Sequence, residues 1–92
     1  MPRPRMCRRI RFNPKVLFYK PQGIPLRNLN VVELSFEEVE SLRLKNVVGL
    51  DQIDAAKKMK TSQSTFQRIL ASAYEKISRA LVEGSAIKII KE

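Results

Sequence analysis

Residues 51–70 read Asp51-Gln-Ile-Asp-Ala-Ala-Lys-Lys-Met-Lys-Thr-Ser-Gln-Ser-Thr-Phe-Gln-Arg-Ile-Leu70. Two helix starts lie inside this stretch. Asp51 is an N-cap candidate, and Ile53, Ala56 and Met59 recur on one apolar face, which predicts a short helix at 52–59. Ser62 is a second N-cap candidate. Beyond it Phe66, Ile69, Leu70, Ala73, Ile77, Ala80 and Leu81 sustain a 3.6-residue stripe, which predicts a helix over 63–83 that stops at Gly84. The two helices are separated by about three residues, and the small side chains of Ala55 and Ala56 stand where they must cross closely. Met59, Phe66 and Ile69 then form the shared core of a helix-turn-helix. The turn usually has glycine where this chain has Lys60, and an apolar residue where it has Thr61. The backbone at that turn position often adopts positive φ, so Lys60 stands either there, at a cost of about 1 kcal/mol, or in ordinary helical geometry.

Upstream, Ser35 opens another helix. Glu38 stands three residues on, as a capping box requires, and Glu37, Glu38 and Glu40 place negative charge at the positive helix end. Capping of the helix start accounts for these three acids better than a metal cluster does. Phe36, Val39 and Leu42 supply an apolar face, Arg43 and Lys45 sit near the other end, and Gly49 marks the exit from a helix at about 36–46. Val31–Leu34 reads as extended. Ala86–Ile90, rich in β-branched residues, reads as a short closing strand. Arg9–Phe12 alternates polar and apolar and is expected to pair with Ile87–Ile90. Val16–Tyr19 reads as a buried extended piece with Phe18 and Tyr19 as core anchors, although beside Lys15 and Lys20 they could also stack on bases. Pro21–Pro25 is turn chemistry. The expected fold class is mainly α: a three-helix helix-turn-helix domain with a basic, proline-rich N-terminal arm and short terminal β-strands.

The chain has 92 residues and a formal net charge of +9. The length suits one folded unit, divided into an arm and extended segment at 1–30 and a helix-turn-helix domain at 31–92. Residues 1–30 hold eight Lys or Arg, all five prolines, and neither Asp nor Glu; residues 31–92 hold ten basic and nine acidic side chains. An acid-free basic segment joined to a charge-balanced core is the footprint of a polyanion binder. Arg3, Arg5, Arg8, Arg9 and Arg11 form an arm for DNA backbone or minor groove, and Pro2-Arg3-Pro4-Arg5 matches the core of arms that enter a narrow groove. The chain has no His and one Cys, so the commonest general base is missing and neither an internal disulfide nor a Cys-rich zinc site can form. Cys7, among arginines, is a conceivable redox sensor. No nucleophile–base pair or metal set is visible, so neither catalysis nor a cofactor is expected. No apolar run is long enough to span a bilayer and no signal-peptide pattern opens the chain, so a cytoplasmic location without membrane association is the expectation.

The second helix of the motif carries Ser62, Gln63, Ser64, Gln67 and Arg68 on its early, outward side. Gln can bond bidentately to adenine and Arg to guanine, and the N-terminal turns of such a helix are the ones that enter the major groove. Met1-Pro2-Arg3-Pro4-Arg5, Cys7-Arg8-Arg9-Ile10, Pro21 through Leu26, Leu34 through Leu44 and Ser62 through Leu70 together resemble a family of small uncharacterised prokaryotic proteins. The resemblance covers nearly the whole chain. It implies a helix-turn-helix like that of sigma-factor region four, DNA binding in the cytoplasm, and Ser62, Gln63, Ser64, Gln67 and Arg68 at the recognition positions. The resulting expectation is a sequence-preferring binder of double-stranded DNA, active in transcriptional control, with RNA polymerase or a second copy as further partners. The alternatives are an RNA- or ribosome-associated basic protein, and a module that contacts the transcription machinery through helix 63–83.

Overall fold

The computed structural model describes residues 17–91. The elements follow in the order β1 (Phe18–Tyr19), a 3₁₀ turn (Leu26–Asn28), β2 (Val31–Ser35), α1 (Phe36–Leu42), a π-helical extension of α1 (Arg43–Val48), α2 (Gln52–Lys58), α3 (Gln63–Glu83) and β3 (Ala86–Ile90). This is a mainly helical, three-helix helix-turn-helix domain with short strands.

The sheet joins strands for which the sequence named no partner among the described residues. β3 is the middle of three strands. β2 lies parallel to it, with Val32 opposite Ile87 and Leu34 opposite Ile89, and β1 lies antiparallel, with Phe18 opposite Lys88. The described neighbours of Ile87–Ile90 are thus β1 and β2; the expected partner, Arg9–Phe12, lies outside the described residues. Adjacent parallel strands need a crossover connection, and the three helices are that crossover. Ser35 ends β2 and caps α1, while Gly84 ends α3 two residues before β3 begins. Leu17, Phe18 and Tyr19 are extended but exposed rather than buried. β1 is an edge strand of only two residues, and the Lys88 ammonium sits 5.7 Å from the Phe18 ring centre.

All three N-caps form as their spacing predicts. The Ser35 hydroxyl accepts the Glu38 N–H at 3.1 Å and the Glu38 carboxylate accepts the Ser35 N–H at 2.9 Å. Asp51 accepts the Asp54 N–H at 2.8 Å, and Ser62 accepts the Thr65 N–H at 3.1 Å. Gly49 and Gly84 end their helices with φ of 91° and 72°. Lys60 ends α2 with φ 57°, the one non-glycine residue at positive φ among the described residues. Its N–H donates to the Lys57 carbonyl and that of Thr61 to the Ala56 carbonyl, both at 3.0 Å, the paired bonds of a Schellman turn. An L-residue in that conformation costs about 1–2 kcal/mol.

The helix expected at 36–46 is α-helical only to Leu42. It then widens, so that the Gly49 and Leu50 amides both close on the Leu44 carbonyl at 3.2 and 3.0 Å, which brings Leu50 against the core that Leu44 enters. That core joins Leu44, Ala55, Ala56, Met59, Phe66, Ile69 and Leu70. Two residues of the expected apolar stripes are exposed. Ile53 is 52% exposed because the close approach at Ala55 and Ala56 centres the buried stripe there and leaves Ile53 beyond its edge. Leu81 is 76% exposed while its neighbour Ala80 is 2% exposed, so the covered side of this end of α3 is centred on Ala80 and Leu81 lies beyond its edge. On α1 the fully buried residues are Glu38, Glu40 and Ser41, while Phe36, Val39 and Leu42 are half-buried. Polar bonds to α3, rather than an apolar face alone, hold α1 in place.

Candidate nucleic-acid interface

The Schellman turn at Lys60 and the cap at Ser62 together set where α3 begins. Phe66, Ile69 and Leu70 anchor the inner side of its first turns in the core, so Gln63, Ser64, Gln67 and Arg68 face outward and are exposed. Among the described residues, the side chains of Gln63, Gln67 and Arg68 make no hydrogen bond or ion pair. The Ser64 hydroxyl lies 3.3 Å from that of Ser62. Ser62 itself is committed to the fold: its hydroxyl accepts the Thr65 N–H and donates to the Thr65 hydroxyl at 2.9 Å. Gln63, Gln67 and Arg68 are thus presented as free donors and acceptors on one face, while Ser62 holds the start of that face.

Beside Arg68 a groove of about 360 Å³ runs between the start of α1 and α3, lined in part by Glu37, Thr65 and Ser72. Glu38 lies at its wall and ties the two helices together, accepting the Ser72 hydroxyl and the Lys76 ammonium, the latter at 3.0 Å. Burial pushes the Glu38 carboxyl up. The hydrogen bonds from Ser72, the Ser35 amide and Lys76, with the Lys76 charge, outweigh that and hold it below the ordinary glutamate range. Glu40 is not a capping residue. It is 1% exposed and accepts both Nε and Nη2 of Arg43, at 2.8 and 3.0 Å. The hydrogen bond to Glu40 raises the Arg43 guanidinium above its usual value against the opposing effect of burial.

Pairing of charges is uneven over the surface. Arg43, Lys76 and Arg79 each have a carboxylate within 3.2 Å. Lys57, Lys58, Lys60 and Arg68 have none within 4 Å among the described residues. Lys20, Arg27, Lys45 and Lys88 are likewise without one, so the turn and the first turns of α3 are one of several places where cations stand unpaired. For Arg68 this was readable, since no acid stands three or four residues away on its helix. For Lys58 it was not: Asp54 has the right spacing, yet no pair forms. Arg3, Arg5, Arg8, Arg9 and Arg11, together with Cys7, lie outside the described residues. Among the described residues there is no cluster of three or more metal-ligating side chains, and no helix is long and apolar enough to cross a membrane.

The protein-family model described as "Protein of unknown function DUF134" matches residues 1–92. The chain is 54% identical over 89 residues to a UPF0251 protein of Dehalococcoides mccartyi, covering 97% of this chain and 76% of that relative. It is 53% identical to a UPF0251 protein of Desulforudis audaxviator, covering 97% of this chain and 58% of the relative. A UPF0251 protein of Halothermothrix orenii is 50% identical over 88 residues, 96% of this chain and 65% of the relative. The chain thus spans between 58% and 76% of the length of these three relatives. No solved structure matches it. The full-length match and the identities near one half place this chain in the DUF134 family of small prokaryotic proteins.

Proposed function

We propose that this protein binds double-stranded DNA with sequence preference, as a transcriptional regulator, by laying the first turns of α3 in the major groove. The observation that carries the reading is the free, exposed set Gln63, Gln67 and Arg68 on one face of a long helix whose opposite face is locked in the core. Side chains that are to read base edges must be both positioned and unengaged, because any internal bond would have to be broken on binding. Arg68 suits guanine O6 and N7, and Gln63 and Gln67 suit adenine. Ser64 is placed for a base or a phosphate. The resemblance to sigma-factor region four supports the same docking, and the unpaired cations around the turn supply the electrostatic attraction. The arm residues Arg3, Arg5, Arg8, Arg9 and Arg11 extend the contact along the backbone or into the minor groove. RNA polymerase or a second copy of the chain is the further partner that a regulator of this kind needs.

Selection of bound fragments from random duplex DNA tests the proposal. A recurrent motif is expected. On that site Gln67→Ala and Arg68→Ala should each cost about 1–3 kcal/mol and relax base preference at one position. Recovery of no motif would defeat sequence preference, and equal losses on matched and mismatched duplexes would reduce both residues to phosphate contacts.

A further inference from the structure

Among the described residues, three helical segments close on a left-handed residue. At two of them that residue is glycine: Gly49 after the α1 extension and Gly84 after α3. At the third, between α2 and α3, it is Lys60. Glycine would hold the same turn without the conflict between Cβ and backbone that an L-residue suffers there. The lysine side chain is not needed to complete the turn, because the closing hydrogen bonds run between the backbones of Lys60 and Lys57 and of Thr61 and Ala56. That side chain is exposed and has no carboxylate partner among the described residues. It stands two residues before the cap of α3 and follows Lys57 and Lys58, which are equally exposed and unpaired. Elsewhere among the described residues Arg43, Lys76 and Arg79 each pair with an acid, whereas Lys45, like the lysines of this turn, does not. The fold therefore tolerates a strained backbone at the one helix end that borders the reading face, and places a free ammonium there.

Resting on the DNA reading above, we infer that Lys60 is a ligand for a backbone phosphate, held beside the groove that α3 enters and flanked by Lys57 and Lys58. An ammonium is a compact point charge that suits phosphate. A phosphate contact carries no base information, so Lys60 sets affinity, salt dependence and the register of α3, while Gln67 and Arg68 set preference. In this chain the lysine supplies charge at a turn whose backbone favours glycine.

The test compares wild type, Lys60→Gly, Lys60→Gln and Lys60→Arg by titration against labelled, mixed-sequence duplex DNA over a range of salt, and by thermal unfolding. Lys60→Gly should unfold at the same or a higher temperature yet bind on the order of fivefold more weakly, with the log–log salt slope reduced by about 0.9. Lys60→Gln, which keeps the strain and removes the charge, should lose the same affinity and slope. Lys60→Arg should keep both. Unchanged affinity and slope in the glycine and glutamine variants, with wild-type binding still salt-dependent, would overturn the role of Lys60 and leave the DNA reading standing. Wild-type protein that binds no duplex would overturn both. A clear fall in unfolding temperature for Lys60→Gly would also overturn the inference, because the side chain would then serve the fold.

Discussion

Glu38 does three jobs with one carboxylate: it completes the capping box, accepts the Ser72 hydroxyl and pairs with Lys76. The first was legible from the three-residue spacing to Ser35. The other two join residues 34 and 38 positions apart, and nothing local announces them. Its folded-state pKa is depressed. Its contribution to stability is therefore present above the ordinary glutamate range and is lost as pH falls through the lowered value. Glu38→Gln keeps the shape but removes the charge from three hydrogen bonds, and should cost about 1–3 kcal/mol near neutral pH. As pH falls through the ordinary glutamate range the difference from wild type should shrink, because Glu38 in the unfolded chain takes up a proton before the native carboxylate does. Urea unfolding at stepped pH measures this; a constant difference down the acid limb would place that pH dependence in other carboxylates.

At the scale of elements, the start of α3 is the decisive junction. The Schellman turn at Lys60 ends α2 and the Ser62 cap begins α3 two residues later, so the direction of the reading helix is set by a handful of backbone bonds. Ser62→Ala removes the acceptor for the Thr65 amide and should cost about 1 kcal/mol, or about 4–8 °C in unfolding temperature for a domain of this size. Because that hydroxyl already bonds within the turn, the DNA motif recovered by selection should be the same for the variant. A changed motif with unchanged stability would instead make Ser62 a reader. The widening of α1 into its π-helical extension shows the opposite case, where apolar spacing suggested a regular helix and packing of Leu50 onto the core reshaped its end.

For the molecule as a whole, β3 is the clasp. It is the last described element in the chain but the middle strand of the sheet, and its parallel neighbour β2 lies on the far side of all three helices in sequence. Ala86 and Ile89 are buried with Val32 and Leu34. Truncation after Ser85 should remove both ladders at once and abolish a cooperative urea transition, since two isolated short strands cannot hold together. A transition that survived with unchanged midpoint would mean that the helices fold alone and the sheet is an accessory.

Caps and periodicity depend on residues within a turn or two of one another, which is why α2, α3, the three N-caps and the core set Ala55, Ala56, Met59, Phe66 and Ile69 could all be read from spacing, while the geometry at Lys60, where lysine replaces the usual glycine, was left open until the structure gave its φ of 57°. The outward placement of Gln63, Ser64, Gln67 and Arg68 follows from the same periodicity, because a helix with one anchored face has its other face determined. Strand partnership cannot be read this way: the β2–β3 ladder joins residues more than fifty positions apart, and nothing in Val31–Ser35 names Ala86–Ile90 as its neighbour. Nor does a stripe of apolar residues state where its buried side is centred, so the exposure of Ile53 and Leu81 depended on how closely the neighbouring elements approach at Ala55, Ala56 and Ala80. The buried acids of α1 and the unpaired cations at the turn belong to the same class, because both depend on which charges from distant parts of the chain come within a few ångströms.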